Sequence, residues 1–195
     1  VTYPGQEVRV ELGAGRDVFF SGPWQLDVRL DGRPLAPTTD WEEVCWASDA
    51  DADYLQLEID LAGGLSVQRH VLLARDDRFL LLADSIMGPR PGTLQYRGRL
   101  PLCPGVGFEP AAETREGFLA AGKRRALVMP LALPEWRVDR RVGHLVETES
   151  GLELVQATEG RGLMAPLFFD LAPKRMARPL TWRQLTVGES LRPVA

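Results

Sequence analysis

Three aspartates at alternate positions, Asp49, Asp51 and Asp53 in SDADADYLQLEIDL (residues 48–61), carry the first three ligand spacings of a calcium loop. Such a loop also needs glycine at its sixth position for a sharp turn and a bidentate acid at its twelfth. Counted from Asp49, those positions hold Tyr54 and Asp60, and the ninth, Leu57, already belongs to an alternating apolar pattern. The acids therefore read as the solvated start of a β-strand. The two histidines, His70 and His144, and the two cysteines, Cys45 and Cys103, fall at none of the spacings typical of zinc ligands. Cys45, in EVCWA, reads as a small buried hydrophobe. The expected cofactor is none, with zinc and calcium the two ions whose ligand types are represented. No P-loop, dinucleotide fingerprint, nucleophile elbow or H-E-x-x-H motif occurs.

The elements that must position these groups are short and extended. Nineteen glycines and fifteen prolines chop the chain, and no helical pattern exceeds two turns. In WQLDVRL, Trp24, Leu26, Val28 and Leu30 share one face, and Asp31-Gly32 follows as a type I′ hairpin signal. In YLQLEIDL, Leu55, Leu57, Ile59 and Leu61 alternate with Gln56, Glu58 and Asp60. The turn AGG (62–64) leads into SVQRHVLLA, and RDDR (75–78) leads into FLLLADSI. TLQYRGRL, RALVMPLAL, HLVETE, LELVQA, LMAPLFFDL and TWRQLTV supply further strands. RVELGAG (9–15) reads as a turn, and LPLCPGVGFEPAAE (100–113) as a long loop. The fold class that follows is all-β: a large antiparallel multi-sheet β-sandwich, supersandwich-like, with few or no helices. Residues 1–195 are read as a single domain and part of a longer protein.

Register follows the apolar match, because a one-residue slip turns every side chain to the other face. Across the RDDR turn, Val67 then faces Ile86, Val71 faces Leu82 and Leu73 faces Leu80, which sets Arg69 opposite Asp84. Across AGG, Ile59 faces Val67 and Leu57 faces Arg69. One face of three strands becomes aliphatic core holding a structural ion pair, Arg69–Asp84, the alternative role of Asp84 being metal ligation. The other face carries Gln56, Glu58, Gln68, His70 and Ser85, with His70 placed to pair with Glu58. Among the tryptophans, Trp24 and Trp46 alternate with apolar residues and are read as core. Trp41, Trp136 and Trp182 lie among polar residues and are read as partly exposed.

The composition excludes several classes. The chain has 23 basic and 27 acidic residues, a net charge of −4 and no run of like charge beyond KRR (123–125), so no nucleic-acid footprint is present. No apolar stretch approaches ~20 residues, so no membrane-spanning helix is expected. Compartment stays open.

The stretch from Tyr54 to Ile86 resembles the C-terminal β domain of heparinase II/III-like proteins. It does so through Arg69-His70-Val71 followed by the apolar run Leu80-Leu81-Leu82-Ala83 and Asp84. The later PLFFDLAPKRMARPLTWRQLTV is similar to bacterial members of that group. The resemblance implies an antiparallel sandwich that packs against an N-terminal helical toroid and helps bind an acidic polysaccharide. It also implies Asp84 as a possible zinc ligand and His70 as a possible catalytic or ligand contributor. The expected function is a non-catalytic, carbohydrate-associated domain of a polysaccharide lyase. Its expected substrate-binding residues are Gln56, Glu58, Gln68, His70 and Ser85. The alternative is a structural or protein-docking module without a sugar site.

Overall fold

The computed structural model describes residues 1–138 and 142–176. The TWRQLTV segment, with Trp182, lies outside the described residues. Thirteen strands are present among them: β1 (Arg9–Ala14), β2 (Asp17–Pro23), β3 (Gln25–Leu30), β4 (Arg33–Pro34), β5 (Glu42–Ser48), β6 (Ala52–Leu61), β7 (Leu65–Ala74), β8 (Phe79–Leu100), β9 (Gly107–Pro110), β10 (Gly117–Ala120), β11 (Arg124–Pro130), β12 (Gly143–Thr148) and β13 (Gly151–Asp170). One turn of 3-10 helix, Pro173–Arg175, follows. The described structure is an all-β antiparallel sandwich, and no helix in it is long and apolar enough to cross a membrane.

Two long strands organise the molecule. β8 and β13 pair along their whole length, from Leu152 beside Leu100 to Asp170 beside Phe79, with one register break between Gly160 and Gly162. Each strand serves two arms. In the first arm, β7 pairs residues 79–87 of β8 and β11 pairs residues 167–170 of β13, giving the order β5-β6-β7-β8-β13-β11-β10-β9. In the second arm, β3 pairs residues 94–99 of β8 and β12 pairs residues 151–156 of β13. The arms close on each other, so that Trp24, Tyr96, Leu100, Leu152 and Leu154 of the second meet Leu82, Ala165 and Leu167 of the first. The hairpin β1–β2 completes the cover, and its Phe20 ring lies 5.5 Å from that of Phe169.

The local chemistry explains the turns. Asp31 and Gly32 both have positive φ, 53° and 77°, as the type I′ hairpin joining β3 to β4 requires. The three-residue turn Ala62-Gly63-Gly64 sets Leu61 against Leu65, with φ of 82° and 73° at its glycines. The β6–β7–β8 register is the one the apolar match dictates: Ile59 faces Val67, Leu57 faces Arg69, Val67 faces Ile86 and Arg69 faces Asp84.

Five expectations are corrected. Cys45 is exposed and Trp46 is 58% exposed, because β5 is the edge strand of the sheet among the described residues. Its register shift between Glu43 and Cys45 also breaks the alternation on which the core reading rested. Trp41, 6% exposed, is core, because the segment before β5 folds under the sandwich and hydrogen-bonds Gly5. Residues 9–14 are β1, the turn being confined to Gly15 and Arg16, and the Pro/Gly-rich stretch contains β9, which pairs β10. Trp136 is exposed, as its polar surroundings imply.

Candidate functional site

Arg69 and Asp84 meet where the arms close. Arg69 Nε and Nη2 donate to Asp84 Oδ1 and Oδ2 at 2.8 and 2.9 Å, a bidentate fork, and Nη1 donates to the Trp24 carbonyl at 2.8 Å. The guanidinium lies 3.8 Å from the Trp24 ring centroid and 4.8 Å from that of Trp41. The Tyr96 hydroxyl reaches across from the second arm and donates to Asp84 Oδ2 at 2.8 Å. Burial, with the Asp84 carboxylate beside it, holds the Tyr96 phenol well above its usual range, so it stays a donor. Both side chains of the pair are sealed, at 1% and 0% exposure. The ion pair is structural, a clamp between the two arms.

That geometry tests the zinc reading. Both Asp84 oxygens are committed to Arg69 and Tyr96. His70 follows Arg69 along β7 and so projects from the opposite face of the sheet. One ion cannot be ligated by both. No group of three or more His, Cys, Asp or Glu side chains suited to a metal occurs among the described residues. The residues present do not fit zinc. Nor do the opening aspartates make a calcium loop. Asp49 Oδ1 accepts from the backbone N–H groups of Asp51 and Ala52, both at 2.8 Å, capping the β5–β6 turn. The Ala52 and Asp51 bonds hold its carboxyl below the usual range. Asp53 Oδ1 accepts from Ser48 Oγ and Arg75 Nη2, each at 2.6 Å.

The outer face of the first arm gathers the polar residues expected there. Glu58, Gln68 and Ser85 lie side by side, as do Gln56, His70 and Ala83. They satisfy one another: Gln68 Nε2 donates to Glu58 Oε2 at 2.7 Å, which takes the acid expected for His70. His70 Nδ1 instead meets the Tyr54 hydroxyl at 2.8 Å, and that hydroxyl also lies 3.1 Å from Gln56 Oε1. With His70 protonated at Nδ1, a relay runs from that N–H to the Tyr54 hydroxyl and on to Gln56 Oε1. Desolvation lowers the His70 pKa, against a smaller opposite pull from Asp84. The strand residues of this face include carboxylates Glu58 and Asp60 and no arginine or lysine.

The outer face of the second arm is different. Pairing sets Gln25, Arg99 and Glu153 in one row, Asp27, Arg97 and Val155 in the next, and Arg29, Gln95 and Ala157 in a third. A cleft of about 450 Å³ runs from Gln6 and Trp41 past Gln25, Arg99 and Arg97. A second of about 360 Å³ continues past Arg97, Arg29 and Gln95 to Ala157. The two share Asp27 and Arg97. Glu153 holds Arg99 at 2.8 Å, with Arg97 at only 3.7 Å. Sequence reasoning did not single out these residues. Their signal was the run Gln95, Arg97, Arg99 alternating with Leu94, Tyr96 and Leu100, but which strands flank it depends on pairings distant in sequence.

No protein-family model matches the sequence, and no curated protein matches it. Among solved structures the chain is similar to heparan sulfate lyase HepC from Pedobacter heparinus and to a mutant of that lyase. Each match has 15% identity and a TM-score of 0.47, covering 73% of this chain and 23% of that one. The relation is distant at most. This chain spans about a quarter of the length of the lyase, and no residue role follows from the likeness.

Proposed function

We propose that this chain is a non-catalytic, carbohydrate-associated β-sandwich domain of a heparinase II/III-like polysaccharide lyase, contacting an acidic polysaccharide along the groove of Arg29, Arg97 and Arg99. The observation that carries this reading is adjacency: the two clefts share Asp27 and Arg97 in their walls, and together they line a path, or trough, beside β3, β8 and β13. A polymer needs such an extended path. Guanidinium forks suit carboxylate and sulfate groups, and the amides of Gln6, Gln25 and Gln95 suit hydroxyls. Arg97 is half-exposed and its one ion contact is long, so its donors are available. Tyr96, a lining residue of the second cleft, spends its hydroxyl on Asp84.

Affinity electrophoresis through gels containing heparin, alginate or a neutral glucan tests the reading. The expected result is retardation by an acidic polymer alone, relieved in Arg97→Gln. The face of Gln56, Glu58, Gln68, His70 and Ser85 is the second candidate surface. Retardation unchanged in Arg97→Gln but lost in Gln68→Ala would move the contact there, and no retardation in any gel would end the carbohydrate reading.

One observation favours the alternative, a docking module. Leu72, Phe79, Leu81 and Phe168 stay partly exposed beside one another on the first arm, with the Phe79 and Phe168 rings 5.1 Å apart. A helical toroid or another partner domain would cover this patch. Mixing the chain with such a domain and measuring the mass of the complex by light scattering separates docking from solitary behaviour.

A further inference from the structure

At the end of the first arm, a cavity of about 680 Å³ opens between the β7–β8 turn, the β1–β2 turn, the start of β11 and the segment after β13. Its wall carries Arg75, Arg78, Lys123, Arg124 and Arg125, and no acidic residue lines it. Its floor is apolar, with Phe19, Leu73 and Met176. Three of the cations are tethered at the rim: Arg75 to Asp53 at 2.6 Å, Arg124 to Glu109 at 2.8 Å and Arg125 to Asp17 at 2.9 Å. These pairs hold the guanidinium groups in place, and Arg125 keeps a buried Nε without a hydrogen-bond partner. Arg78 and Lys123 have no acidic partner among the described residues. Arg78 moreover sits at φ 53°, where glycine or asparagine would be cheaper. A strained position has been given a long cation facing a cavity rich in positive charge.

We propose that this cavity binds a sulfate or phosphate ester carried on a sugar-sized body. The anion is held by Arg78 and Lys123 on the cavity wall, and the apolar floor packs against the ring. The tethered arginines set the geometry, while Arg78 and Lys123, without an acidic partner among the described residues, supply the charge that the anion meets. Arg75, just past the end of β7, lies six residues from Arg69, about 20 Å at the usual strand rise, so this site is separate from the trough. It stands whether or not the trough binds a polymer.

Isothermal titration calorimetry of the full chain with glucose 6-sulfate, glucose 6-phosphate, inorganic sulfate and glucose provides the test. The expected result is saturable binding of at least one ester, tighter than inorganic sulfate, with none for glucose. Preference for one ester identifies the source of the anion. In Arg78→Asn, whose side chain tolerates the positive φ, and in Lys123→Gln, affinity falls about tenfold while the melting temperature holds. Loss of ester binding in Arg78→Asn and Lys123→Gln assigns it to this site, while gel retardation relieved in Arg97→Gln reports the trough, so the two failures are read separately. No saturable binding of either ester would overturn the proposal. So would inorganic sulfate binding as tightly as both, or full affinity in the Arg78→Asn/Lys123→Gln double variant.

Discussion

Arg69–Asp84 and Arg99–Glu153 are the same chemical pairing placed in two regions with opposite consequences. The first is a two-oxygen fork sealed between the arms, with Tyr96 and the Trp24 carbonyl filling further hydrogen-bonding positions. In the second, both Arg99 contacts go to one oxygen, Glu153 Oε2, at 2.8 and 3.3 Å, and the guanidinium reaches solvent. Burial turns the first pair into an all-or-nothing clamp, because either partner alone would be an uncompensated charge in a dry core. The second pair is only partly sealed: Glu153 is buried, but Arg99 keeps about 25% of its side chain exposed, so water or an incoming anion can reach the guanidinium. The fold places its committed charge inside and its negotiable charge along the trough.

The sharpest way to break that comparison is Asp84→Ala, which strands Arg69. Stability falls by about 3–5 kcal/mol, read from the urea midpoint. A loss no larger than that of a surface pair would mean the centre is not dry. Gly98→Ala comes next: a Cβ there falls on the Tyr96 ring, so the ring must leave Asp84, at a cost of ~1–3 kcal/mol in the same assay. Tyr96→Phe keeps the ring and removes one donor to Asp84, costing about 1 kcal/mol. Glu153→Gln sharpens the other side. Its stability in urea falls by less than that of Asp84→Ala, because Arg99 stays partly solvated, while retardation in acidic gels increases as Arg97 and Arg99 are released. The smallest effect is a pH dependence. His70 titrates below its ordinary 6.5 in the folded chain, so the folded state favours the neutral ring. That contribution is present above 6.5 and is lost as pH falls through the lowered folded value. Urea midpoints at pH 7.5 and 5.5 should differ less in His70→Asn than in the parent chain.

Much of the first arm was legible because its pairings are local. Ile59, Val67 and Ile86 share a face only in one register, and that register brings Arg69 to Asp84. The second arm was not legible. Gln25 meets Arg99, and Arg99 meets Glu153, through pairings that cross most of the chain, and period-2 alternation carries no record of which strand lies beside which. The misplaced tryptophans have the same origin. Trp46 alternates correctly but on an edge strand with a bulge, whereas Trp41 looks polar in its neighbours yet packs beside Arg69. The polar face of His70 was read correctly as a face, but its internal hydrogen bonds depend on side-chain reach, which spacing alone does not give.

The shared use of β8 also has a temporal side. Its partners on β7 lie just upstream in the chain, so the β6–β7–β8 meander can form early and locally. Its other edge waits for β13, which begins only at Gly151. A nascent chain therefore carries β8 with one long unsatisfied edge while the intervening residues are made. Pairing of β13 along β8 is the contact of longer sequence range and is expected to follow the meander. Any truncation before Gly151 should yield a chain that pairs with its neighbours instead of with itself.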